Sequence, residues 1–148
     1  LTVSNATIKP RLSSPVGNIF SVYALDAKPY AINEEIPVDA RCKKFGSHYI
    51  VIHDVGEFVN RIYNKLRELN HNFESRLVSY RDFKTFNGSK SWFDKDLSYD
   101  YQKEFRIVID TELEDPLVLD IGSIEDITTE IFEVKEEYDI KFMMSSID

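Results

Sequence analysis

The sequence predicts an α+β fold: a mostly antiparallel sheet of about six or seven strands with one main helix packed on it. Three observations carry this. Residues 54–69 repeat apolar side chains at helical spacing behind a good N-cap. Several shorter runs are rich in β-branched and aromatic residues and are bounded by Gly, Pro, Asn or Asp. Aromatics are abundant (8 Tyr, 10 Phe, 1 Trp) while glycine is sparse at 5, which suits β structure packed with large side chains.

Residues 1–17 hold Pro10, Pro15 and Gly17 among Ser and Thr, and read as an irregular N-terminal arm. Residues 18–25 (NIFSVYAL) are apolar and predict a buried strand. Residues 26–40, with Pro29, Pro37 and acids, read as a loop, and 48–53 (HYIVIH) as a strand. Asp54 then offers an N-cap, and Glu57 completes a capping-box pattern. Val55, Phe58, Val59, Ile62, Tyr63, Leu66 and Leu69 share one face until Asn70, His71 and Asn72 stop the helix, which spans about four turns.

Residues 76–82 (RLVSYRD) predict a strand, with Leu77, Ser79 and Arg81 on one side and Val78, Tyr80 and Asp82 on the other. Residues 83–103 read as the longest irregular stretch, with Asn87-Gly88 as a turn signal; long loops in compact domains are often functional. Residues 104–110 (EFRIVID) predict a strand buried at Phe105, Ile107 and Ile109. Pro116 opens a strand over 117–121, Ser123 caps a helical turn over 124–127, and 128–134 (TTEIFEV) alternates as a half-exposed strand. Residues 135–148 read as an acidic tail or edge strand, which leaves 18–134 as a single α+β domain.

The chain has 148 residues, enough for one domain with a real core and no need of metal or disulfide staples. Its net charge of −8 argues against general nucleic-acid binding, which rests on neutralising phosphates. That charge is segregated. Residues 41–95 carry 11 basic and 6 acidic side chains, whereas 96–148 carry 4 basic and 16 acidic. The basic middle suits a local anion site such as a nucleotide pyrophosphate, or an ordinary solvated helix and loop. A lone cysteine, Cys42, permits no intramolecular disulfide and reads as a buried or idle thiol. No apolar run approaches the ~20 residues that span a bilayer, and no signal-peptide pattern opens the chain. The expectation is a cytoplasmic protein without membrane contact. The chain does not begin with Met and reads as trimmed or as a fragment of something longer.

No phosphate-binding loop, dinucleotide glycine fingerprint or HExxH motif is present. His48 and His53 lie five apart on one expected strand and so face opposite sides, which disfavours a shared metal; no metal site is expected. Glu112, Glu114 and Asp115 read as a solvated turn. The run 92–107 (WFDKDLSYDYQKEFRI) is the candidate site. Gln102 and Glu104 are two apart at a strand's start and project to one face, below a loop bearing Tyr99 and Tyr101. An amide, a carboxylate and stacking rings suit a polar ring-bearing ligand, with the carboxylate holding a ribose hydroxyl and an oxocarbenium-like transition state. The same residues also have a structural reading. Glu104 can pair with Lys95 or Arg106, Gln102 can bond loop carbonyls, and Trp92 and Phe93 can plug a core.

Two resemblances meet here. From Arg41 to Thr128 the chain resembles a widespread family of uncharacterised bacterial proteins, through KKFGSHYIVIHDVGEFVNRI, LVSYRDF, FDKDLSYDYQKEFRIVI and PLVLDIGSIEDIT, with YQKEFR the most distinctive phrase. That family implies no established activity. The Gln-x-Glu that enters a strand after an aromatic loop also resembles the catalytic loop of ADP-ribosyltransferases, which cleave the nicotinamide–ribose bond of NAD. This resemblance implies NAD as cofactor, Glu104 as the catalytic glutamate and Gln102 as an acceptor contact. It further implies Tyr99 or Tyr101 in recognition, and Ser79 and Arg41 in cofactor binding. Where that family has Ser-Thr-Ser this chain has Val78-Ser79-Tyr80, and Arg41 precedes its strand rather than lying on it.

Two classes of function follow. One is an ADP-ribosyltransferase-like NAD- or nucleotide-binding domain, active or degenerate. The other is an acidic interaction protein of the immunity, antitoxin or inhibitor type, with the acidic C-terminal segment as its protein-partner surface. A pocket shared by Ser79, Tyr101 and Glu104 favours the first. A Glu104 buried in a salt bridge, together with an acidic tail that forms a flat exposed edge, favours the second. An assembly domain of a larger complex is a third alternative.

Overall fold

The computed structural model describes residues 17–111 and 115–143. The expected arm over 1–16, Glu112, Glu114 and the end of the expected tail lie outside the described residues. The α+β class holds, with one α-helix, two 3-10 helices and mainly antiparallel strands among the described residues. The strands do not join one sheet. β1 (Gly17–Tyr23), β4 (Asn72–Leu77) and β7 (Glu104–Asp110) form a three-stranded antiparallel sheet in the order β1-β7-β4. The other six strands form three two-stranded ribbons. β2 (Glu35–Pro37) pairs antiparallel with β9 (Lys141–Met143), and β3 (His48–Tyr49) antiparallel with β8 (Phe132–Glu133). β5 (Ser79–Arg81) pairs parallel with β6 (Asp94–Asp96). Strands of two or three residues offer too few ladder bonds to recruit a further neighbour, so the sheet stays divided.

Helix α1 (Val55–Glu68) forms as its periodicity requires. The Asp54 carboxylate accepts the Glu57 N–H at 2.9 Å. The reciprocal half of the capping box is not made, because the Glu57 carboxylate instead takes Arg61 Nε at 2.8 Å. Asn70, in the left-handed region at φ 58°, turns the chain out of the helix, a conformation its short polar side chain tolerates. Phe58, Ile62 and Leu66 pack with Ile107, Ile109 and Ile127 to form the core. Each such side chain removed from water contributes about 1.5–3 kcal/mol.

Several sequence expectations are corrected by this arrangement. β1 is not buried: it is an edge strand paired only with β7, and Ile19 and Phe20 are exposed, although Phe20 still reaches Phe58 with ring centroids 6.1 Å apart. The loop expected over 26–40 contains β2 and the start of a 3-10 helix, Ala40–Phe45. The run 48–53 pairs only at His48–Tyr49 and through one bridge from Ile52 to Thr128. The run 76–82 breaks at Val78, where the chain leaves β7 for β6; the Val78 N–H still bonds the Glu104 carbonyl, while the Ser79 N–H bonds that of Phe93. The sidedness survives the break, with Val78 buried and Leu77 and Ser79 exposed.

The stretch 83–103 is less irregular than expected, holding β6 and a second 3-10 helix, Leu97–Gln102. Residues 117–121 form no strand; Leu117, Leu119 and Ile121 rest against the core without a ladder partner. The run 128–134 pairs only at Phe132–Glu133 and through the Thr128 bridge. The helical turn over 124–127 is present, closed by the Ile127 N–H on the Ile124 carbonyl at 3.1 Å. No helix among the described residues is long and apolar enough to cross a membrane.

The main sheet has two unlike faces. Ile107 and Ile109 of β7 point into the helix-covered core. On the opposite face, Tyr23 stands beside Glu104 and Ser21 beside Arg106, by the β1–β7 register. Residues 91–103 lie over this polar face and build the candidate site on it.

Candidate functional site

Glu104 opens β7 directly after Lys103, which adopts the left-handed region at φ 40° and ends the second 3-10 helix. That kink turns the Gln102 and Glu104 side chains onto one ammonium, rather than the plain strand alternation the sequence implied. Lys95 Nζ donates to Gln102 Oε1 and, at 2.5 Å, to Glu104 Oε1. Arg106 Nε donates to Glu104 Oε2 at 2.8 Å, and its other arm holds the Trp92 carbonyl. The Glu104 side chain is 11% exposed. Burial alone would raise its pKa, but hydrogen bonds from Arg106, Lys95 and Ser21 outweigh this and hold it below the usual carboxylate range. Both carboxylate oxygens are thus occupied, and the pairs sew the 92–103 segment to the sheet. Phe93 is the buried plug, its ring under the Arg76 guanidinium, whereas Trp92 is exposed.

The expected site residues fall into separate places. Gln102 and Glu104 share the Lys95 cluster, and Tyr99 touches it from outside, its ring 5.1 Å from Lys95 Nζ. Ser79 lies on β5 with an exposed side chain and joins neither the cluster nor a pocket with Glu104. Arg41 and Tyr101, sixty positions apart in the chain, meet: the guanidinium carbon sits 3.8 Å from the ring centroid. Arg41 is held there by Asp39, which caps the 3-10 helix through the Arg41 N–H and takes the guanidinium at 2.9 and 2.7 Å. These hydrogen bonds bring Asp39 down to about 2. The Tyr101 hydroxyl, accepting from Gln102 Nε2 at 3.2 Å, links this pair to the Lys95 cluster.

Arg41 and Tyr101 line a cleft of about 380 Å³ with Tyr23, Tyr30, Asp39, Asp100 and Lys103. Sequence reasoning missed Tyr23, Tyr30, Asp39, Asp100 and Lys103. Tyr23 reaches the cleft only through the register that sets it beside Glu104, a tertiary fact with no local signal. Its hydroxyl is buried and finds no hydrogen-bond partner among the described residues. Burial, reinforced by Cys42 and Asp39, raises its pKa. Cys42, whose Sγ contacts the Tyr101 carbonyl at 3.6 Å, is likewise raised by burial and then by Asp39, which keeps the thiol protonated. Among the described residues no group of three or more His, Cys, Asp or Glu side chains is placed to hold a metal ion.

A second feature is the described part of the acidic segment, 115–143. It holds nine carboxylates and two lysines, and of the nine only Asp126 and Asp139 make ion pairs among the described residues. Lys43 ties the segment down through the Glu136 carbonyl at 3.0 Å. The three most exposed large apolar side chains of the described residues all lie here: Val118 at 85%, Ile131 at 72% and Tyr138 at 66%. Comparison with known proteins finds no matching family, curated protein or solved structure.

Proposed function

We propose that the chain is an acidic protein-interaction module that docks a basic partner through residues 115–143. One observation carries this reading: Val118, Ile131 and Tyr138 stand exposed along a segment whose carboxylates mostly make no ion pair among the described residues. Exposed apolar side chains interspersed along the segment with charge of one sign suit an interface, in which aromatic and aliphatic side chains supply affinity and charge steers encounter. The saturated Glu104 supports the same reading, since a carboxylate held by two cations serves to fasten a loop. The test is capture of binding proteins by the full chain and by a Val118→Ser, Ile131→Ser, Tyr138→Ser variant over a salt series. A basic protein retained by wild type, released by salt and lost from the triple variant is the expected result. An unchanged set of captured proteins refutes it.

The ADP-ribosyltransferase-like reading is a second proposal, favoured by the meeting of Arg41 and Tyr101 in one cleft. In this reading the domain binds NAD or a nucleotide, and the Gln-x-Glu is catalytically silent while Lys95 and Arg106 hold it. NAD-dependent labelling that Glu104→Gln abolishes, in a variant that remains folded, would establish the active form. A thermal shift with NAD, nicotinamide or ADP-ribose and no labelling would establish the degenerate one.

A further inference from the structure

We propose that the cleft between the Ala40–Phe45 helix and the Tyr23–Lys103 corner binds a nucleoside monophosphate. The proposal extends the second reading by naming the ligand class, and it rests on the cleft rather than on the Gln-x-Glu. A volume of about 380 Å³ lies at the small end of small-molecule sites, which run from ~300 to ~1,000 Å³, and holds one nucleotide unit more readily than two.

The lining then selects the chemistry. Arg41 is committed to Asp39 and to the Tyr101 face, so it forms a fixed wall rather than a mobile clamp. Tyr23 and Tyr30 both line the cleft, and neither ring is paired with another aromatic or a cation among the described residues, so they are the side chains placed to stack on a base. Lys103 is exposed and makes no ion pair among the described residues, so its ammonium is open to an anion. Asp100 offers acceptors for the amino edge of a base or for ribose hydroxyls. With Asp39 it also places two negative charges against the two positive ones of Arg41 and Lys103. That balance accepts a single phosphate on Lys103 and repels a di- or triphosphate chain.

The experiment titrates the full chain with AMP, adenosine, inorganic phosphate and NAD, read by amide chemical shifts in the protein. Two variants accompany it. Lys103→Asn removes the charge while retaining a residue that tolerates the left-handed backbone. Tyr30→Ala removes one ring wall. AMP is expected to bind about tenfold more tightly than adenosine and than NAD, with inorganic phosphate weaker still. Lys103→Asn should cost AMP about tenfold and leave adenosine unchanged, and Tyr30→Ala should weaken both. Thermal midpoints within about a degree of wild type would show that the variants fold. Silence toward millimolar AMP, equal affinity for AMP and adenosine, or indifference to both variants overturns the proposal. NAD binding more tightly than AMP also overturns it, while leaving the dinucleotide reading standing.

Discussion

Replacing Glu104 by Gln should destabilise the protein by about 2–3 kcal/mol at neutral pH. Removing one partner of a buried ion pair costs about 3–5 kcal/mol, because the other charge is left without compensation. Here Lys95 and Arg106 would both lose their anion, but the amide oxygen keeps one acceptor and the Lys95 side chain is 26% exposed, so water recovers part of the loss. At roughly 2–4 °C per kcal/mol for a domain of this length, the midpoint should fall by about 4–12 °C. The pH dependence sharpens the test. The folded-state pKa of Glu104 is depressed below its ordinary 4.5, so its contribution is complete above that value and is lost as pH falls through the folded pKa. The gap in midpoint between wild type and Glu104→Gln should therefore be constant from pH 7 to about 5 and close in stronger acid. Calorimetry across that range measures it. A variant within about 0.5 kcal/mol of wild type at pH 7 would refute the clamp and return Glu104 to catalytic candidacy.

Other outcomes follow from the same structure. Leu66→Ala, at a side chain with no exposure, should cost about 3–5 kcal/mol by chemical denaturation. Asp54→Ala removes the helix cap and should cost about 1 kcal/mol in the same assay. Val118→Ser should alter stability by no more than about 0.5 kcal/mol, since its side chain is almost wholly in water. Asp94, brought down to about 2 by hydrogen bonds from Arg81 and Ser91, ties β6 to β5 in neutral solution and lets go as pH falls through that value. The fluorescence of Trp92, two residues away, should report this loosening in strong acid, and should report it already at pH 7 in Asp94→Asn.

The helix was legible because its cap, period and stop lie within one stretch of chain. β7 was legible because its apolar alternation is strict and both neighbouring strands cover it. The burial of β1 was misread because the same apolar letters suit a central strand and an edge strand, and only the missing neighbour separates them. The break at Val78 left no mark, since side-chain alternation runs unbroken through a change of sheet. The Leu97–Gln102 helix escaped because a short 3-10 turn has no repeat to detect. Within the candidate site, spacing could bring Gln102 to Glu104. It could not show that the left-handed Lys103 aims both at Lys95, nor that Asp39 would hold Arg41 over a ring sixty positions away.

The placement of β7 between β1 and β4 also sets a schedule for synthesis. The partner of Tyr23 is Glu104 and that of Gly17 is Asp110, so the first strand of the sheet waits for more than eighty further residues to be made. At ~5–20 residues per second, the interval between the emergence of Tyr23 and of Asp110 is roughly 4–17 s. During it, Phe58, Ile62 and Leu66 of α1 lack the β7 side chains Ile107 and Ile109 that cover them in the fold. The helices and turns of the fold are local, and its main sheet is not. The main sheet cannot close before β7, a single seven-residue strand, is made to pair with both β1 and β4.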